Sequence, residues 1–123
     1  MHDDSLKSIK MEIREHKNNC ALQDLLEAQC RLEGETMLPM PLQRLSQLRR
    51  LNAMVRSWLS VLNEDEAYVV RRHLIDGVTW PLLEAEHRAI RKEFGKSKRT
   101  LMRYEKNALK RIQLVIREEE NEL

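Results

Sequence analysis

The stretch EFGKSKRTLMRYEKNALKRI, residues 93–112, decides how this chain is read. Its apolar positions Leu101, Tyr104, Ala108, Leu109 and Ile112 recur at three- and four-residue steps, the spacing that lines one face of an α-helix. Gly95 permits the left-handed turn that ends a preceding helix. Ser97 can accept a hydrogen bond from a backbone amide two or three residues on, which caps the following one. Gly95-Lys96-Ser97 is therefore expected to be the short turn of a helix-turn-helix. The helix it opens is expected to run from about Lys98 to Glu118, with Val115 and Ile116 extending the inner stripe.

Working back from that turn, Thr79-Trp80-Pro81 opens a fourth helix, because proline suits a first turn that needs no backbone donor. Leu82, Leu83, Ala85, Ala89, Ile90 and Phe94 supply its apolar positions, and Ala85 or Ala89 is expected at its crossing with the fifth helix. Asn63 caps a third helix that begins Glu64-Asp65-Glu66, acids suited to a positive helix N-terminus, and stops near Asp76-Gly77. A second helix spans about Leu42 to Leu62, with Leu45, Leu48, Leu51, Val55, Trp58, Leu59 and Leu62 as its buried stripe. GETMLPMP reads as a linker, since each proline biases its predecessor away from helix. Residues 5–33 read as one long helix ended by Gly34, with a break or kink at His16–Asn19 where the apolar stripe is interrupted.

No strand pattern and no long repeat is visible. The expected fold is all-α, with about five helices: an N-terminal helix and linker over 1–41, serving as an arm or for oligomerisation, then a helical domain over 42–123 with the helix-turn-helix at about 80–118. The apolar stripe of residues 5–33 can be covered by a second copy in a homodimer or by packing back on the domain, and the sequence leaves both open.

Composition narrows the function. No apolar run approaches the ~18–20 residues that cross a membrane, and the N-terminus lacks the apolar segment of a signal peptide, so a cytoplasmic protein is expected. Cys20 and Cys30 read as small buried hydrophobes, and with His16 they do not make a zinc site, so no metal or cofactor is expected. No phosphate-cradling glycine loop, nucleophile arrangement or paired-carboxylate pattern is present, so the chain does not read as an enzyme. Trp58, Trp80 and Tyr104 read as core residues, and His73 and His87 as surface or cap residues.

Charge is the informative feature. The chain carries a formal net charge of +2, yet residues 87–111 hold ten Lys/Arg against only Glu93 and Glu105. A solvated helix face intersperses both signs, whereas one dominant sign points to an anionic partner. On the fifth helix Lys98, Arg99, Met102, Arg103, Lys106 and Lys110 lie opposite the apolar stripe and gather towards its start. A recognition helix is built this way, since its first turns reach base edges in the major groove. Arg99 and Arg103 project together at i, i+4 and suit guanine O6 and N7. Lys98 and Met102 complete the candidate base-reading set. Lys96, Lys106, Lys110 and Thr79 are candidate contacts to the DNA backbone, which position without specifying.

These positions carry a resemblance. Leu62, Glu66, Val69, Val70, Gly77, Thr79, Trp80, Gly95, Ser97, Thr100, Leu101, Arg103, Ala108 and Leu109 follow the pattern of the C-terminal helix-turn-helix of sigma factors, which reads the −35 promoter element. The size and layout also resemble small phage late-gene activators of the ArpU and RinA type. The resemblance implies a sequence-specific transcriptional regulator of phage or prophage genes, acting on double-stranded DNA in the cytoplasm of a bacterial host cell, with RNA polymerase as a second partner. A small terminase-like DNA-packaging subunit and a helical protein–protein adaptor are the alternatives.

Overall fold

The computed structural model describes residues 2–34, 39–91 and 96–122. Among them lie five helices and no strand, an all-α fold. The expected positions of Phe94 and Gly95, and residues 35–38 of the expected linker, lie outside the described residues.

Helix α1 spans His2–Glu33 and α2 spans Pro39–Ser60. Helix α1 runs through His16–Asn19 without the break that the interrupted stripe suggests. Asn52 of α2 is fully buried, and its amide nitrogen donates to the Asn19 carbonyl (3.3 Å) and to Gln23 Oε1 (2.7 Å). Gly34 adopts the positive φ of 59° expected of a residue just past a helix end. The second helix begins earlier than its expected start at Leu42. Pro39 and Pro41 occupy its first turn, where the missing N–H is no loss.

Helix α3, Glu64–Val69, opens on a capping box. Asn63 Oδ1 accepts from the Glu66 amide (2.8 Å), and Glu66 Oε1 accepts from the Asn63 amide (3.1 Å). The chain then widens into a π-helix over Val70–Ile75, where the Asp76 amide reaches back to the Arg71 carbonyl at 2.8 Å. Gly77, at φ 73°, turns the chain out of it. Helix α4 spans Trp80–Arg91 and α5 spans Lys98–Glu122, one turn longer than expected.

Two apolar clusters hold these elements. The larger joins Ile9 and Ile13 of α1, Val55, Trp58 and Leu59 of α2, Val70 and Leu74 of the π-helix, and Ala108, Leu109 and Ile112 of α5. The first half of α1 is thus built into the same core as the C-terminal half of the chain. Burying a side chain such as Ile13 contributes about 1.5–3 kcal/mol. The smaller cluster joins Val69, Leu83 and Leu101, with Tyr68, Val78, Trp80 and Tyr104 packed against it. It fastens α4 to α5, and Leu83 with Leu101 takes the part expected of Ala85 or Ala89, both of which are exposed. The apolar stripe expected on α4 is also corrected. Leu82 (63% exposed) and Ile90 (61%) face outward, and the inward line runs through Trp80, Leu83 and His87. That line keeps the i, i+3, i+7 step of a helix face but passes through a histidine, which composition reads as polar.

Candidate nucleic-acid interface

Helix α5 sorts its side chains by face. Leu101, Glu105, Ala108, Leu109 and Ile112 are buried, while Lys98, Arg99, Met102, Arg103, Lys106 and Lys110 are exposed on the other side. None of these five cations forms an ion pair with a carboxylate among the described residues. Lys96 is likewise exposed and unpaired among them, and Thr79 is exposed at the entry to α4. Two other basic residues of the 87–111 window have acid partners. Arg88 lies 3.4 Å from Glu84 across one helical turn. Arg111 forks onto Glu66, with Nε–Oε1 3.0 Å and Nη2–Oε2 3.3 Å.

The acids of this region are turned away from the exposed cations. Glu105 is 6% exposed, and its carboxylate meets His73 Nδ1 at 2.6 Å and Lys10 Nζ at 3.9 Å. Glu66 is 3% exposed and is shared between the α3 cap and Arg111. With both carboxylates occupied, the Lys98–Lys110 face of α5 has no acid partner for its cations among the described residues. Such a face attracts polyanions at long range and loses that attraction as salt is added.

The geometry of α5 is set from α4 and α3. Glu84 Oε2 accepts from the Lys98 backbone amide, so an α4 carboxylate sits at the positive end of α5. His87 is buried, and its Nδ1 accepts from the Lys96 amide at 3.1 Å. Ser97 caps as expected, with Oγ accepting from the Thr100 amide at 3.4 Å. The N-terminus of α5 is therefore closed by the protein's own groups, and anion contacts on this face fall to side chains rather than to a free helix end.

A second set of contacts fixes α4 on the π-helix. Arg72 forks onto Glu86 (Nε–Oε1 2.9 Å, Nη2–Oε2 2.8 Å) and also reaches Asp76 at 2.8 Å. Tyr68 donates to Glu86 at 3.0 Å. Hydrogen bonds from Arg72 hold the Glu86 carboxyl below its ordinary value, against the effect of partial burial. The Tyr68 hydroxyl is pushed up, first by burial and then by its bond to Glu86. His73 stacks on Trp80, with ring centroids 3.7 Å apart.

His73 and His87 are thus interior joints rather than the surface or cap residues expected of them. Nothing local to the sequence announces those roles, because their partners stand 32 and 9 positions away. Glu66, three residues after Asn63, does carry a legible signal, the capping-box spacing. Its grip on Arg111 does not, at a separation of 45 residues. His16 and Cys20 share a face as their spacing allows, with Cys20 Sγ 3.5 Å from His16 Nε2. No group of three or more metal-ligating side chains forms among the described residues.

No helix among the described residues is long and apolar enough to cross a membrane. Comparison of the chain with protein-family models, with curated proteins and with solved structures returns no match.

Proposed function

We propose that the chain is a sequence-specific double-stranded DNA-binding protein that regulates transcription, with α5 as its recognition helix. The observation that carries this reading is the outer face of α5. It holds Lys98, Arg99, Arg103, Lys106 and Lys110 exposed and without described acid partners, while Glu105 is turned inside. In this reading Lys98, Arg99, Met102 and Arg103 read base edges in the major groove. Lys96, Lys106, Lys110 and Thr79 hold the phosphate backbone. The sequence resemblance supports a further step: activation of phage or prophage genes through contact with RNA polymerase, in a bacterial cytoplasm. A second copy joined through α1 would read a site with two half-sites.

The test is selection of bound fragments from a random duplex pool, followed by affinity measurements on the enriched site across a salt series. Recovery of one motif is expected, with log K falling by about 0.9 for each phosphate neutralised. The three lysine contacts to the backbone give a slope of about −3. Recovery of no motif together with a flat salt dependence would exclude the reading.

A further inference from the structure

Away from α5, Arg56 of α2 and Arg71 of the π-helix are among the guanidinium groups without a carboxylate partner among the described residues. They come from different elements and line one cavity of about 320 Å³. Leu59 and Ile75 give it an apolar wall, and His16 of α1 closes another side. Asp76 also lines it, but its carboxylate is engaged by Arg72 at 2.8 Å. The volume lies at the lower end of the range for small-molecule sites.

The histidine registers both arginines. His16 is 9% exposed, and its pKa is lowered first by burial, then by Arg56, with Arg71 adding in the same sense and Asn52 opposing. The imidazole therefore favours the neutral form, in which one ring nitrogen donates and the other accepts. Arg56 and Arg71 thus bring two positive charges to the cavity against the single carboxylate of Asp76, which Arg72 already engages.

We propose that this cavity binds a phosphate group carried on a small apolar or aromatic body. Arg56 and Arg71 supply two charges and planar forks that match phosphate oxygens. His16 closes the site without adding charge, and Leu59 and Ile75 contact the body that carries the ester. Arginine is the side chain suited to this, since it stays charged and is weakly hydrated beside an apolar wall. The assignment does not rest on α5 or on duplex binding. The same phosphate chemistry can come from a free phosphate ester or from a nucleic-acid backbone, and the experiment separates the two.

The experiment is an NMR titration of the full chain with inorganic phosphate and, separately, phenyl phosphate, at constant ionic strength against chloride. The His16 ring and the Arg56 and Arg71 Nε–H signals are followed. Saturable shifts at these groups are expected, with phenyl phosphate binding several-fold more tightly than inorganic phosphate. The Arg56→Gln/Arg71→Gln pair is expected to weaken binding by roughly tenfold or more. Both side chains are exposed, so the fold is expected to survive, which circular dichroism checks. Should the pair unfold, Arg71→Lys alone is expected to weaken binding by losing the fork while keeping the charge. Adding a short DNA duplex then assigns the source. Displacement of phenyl phosphate from His16 identifies a backbone phosphate, and simultaneous binding identifies a free ester; both outcomes sustain the site. Shifts that grow linearly with ligand, or that persist unchanged in the arginine variants, overturn it.

Discussion

His73 Nδ1 and Glu105 Oε1 lie 2.6 Å apart, joining the π-helix to α5. The contact gives a partner to an acid that the helical step from Leu101 to Ala108 places on the buried face of α5. With the His73 ring stacked on Trp80 at 3.7 Å, one histidine links the π-helix, the start of α4 and the middle of α5. Packing and surface charge meet in this contact: the core accepts a carboxylate, and the exposed charges from Lys98 to Arg111 are all positive.

Arg103 is exposed on the outer face of α5 and has no described acid partner, which suits a bidentate base contact. Arg103→Ala is expected to weaken binding to the selected site by about 1–3 kcal/mol and to relax preference at one base pair. Lys106→Ala is expected to act differently, weakening all duplexes alike and reducing the salt slope by about one. Fluorescence anisotropy on matched and mismatched duplexes distinguishes the two. Equal behaviour of both variants and the parent on every duplex contradicts the assignment.

Glu66 serves two joints at once, the cap of α3 and the clamp on Arg111. It is 3% exposed, so Glu66→Ala strips a buried cap and leaves Arg111 unpaired. The expected loss of unfolding free energy is about 2–4 kcal/mol. Arg111 is far more exposed, and Arg111→Met is expected to cost less than half of that. Urea unfolding followed by circular dichroism measures both.

Helix α1 is expected to behave as part of the folding unit in its first half. Ile13 is fully buried in the large cluster, so Ile13→Ala is expected to destabilise the whole protein by about 2–4 kcal/mol in a single transition. Leu32 is 88% exposed near the far end of the same helix, and Leu32→Ala is expected to shift stability by less than about 0.5 kcal/mol. A biphasic unfolding curve for the Ile13 variant, with one phase unaltered, would show that α1 unfolds on its own.

The Arg72–Glu86 fork predicts a specific acid response. Glu86 sits below its ordinary value of 4.5, chiefly through hydrogen bonds from Arg72. A carboxyl with a lower pKa in the folded state binds fewer protons there than in the unfolded chain. Its stabilisation is complete above the unfolded value and is lost as pH falls through the folded one. The stability difference between the parent and Arg72→Leu is therefore expected to hold level from neutral pH to about pH 5, then to narrow below about pH 4.5. Urea midpoints at a series of pH values read this directly, and a difference unchanged well below the ordinary carboxylate range contradicts it.

Helices were legible where the spacing of apolar residues was regular. The stripes of α2 and α5 could be read position by position, as could the Asn63 and Ser97 caps and the Gly34 end. Legibility failed where a polar residue took a core position. Asn52, Glu66, His87 and Glu105 are all buried, and each makes a hydrogen bond outside its own element, although Asn52 Oδ1 is left without one. The interrupted stripe at His16–Asn19 suggested a kink for the same reason, since the answering Asn52 lies in another helix.

The order of the α-helices, the glycine ends at Gly34 and Gly77 and the excess of positive charge over 87–111 were determined by the sequence alone. These depend on steps of three or four residues and on backbone preferences, which act locally. Which charges stay outside was decided only by tertiary structure. Folding pairs Arg111 with Glu66, turns Glu105 to His73, and leaves Arg99, Arg103, Lys106 and Lys110 exposed. A charge is cancelled by what lies within a few ångströms of it, and over 32 to 45 residues of separation only the packed fold brings those groups together.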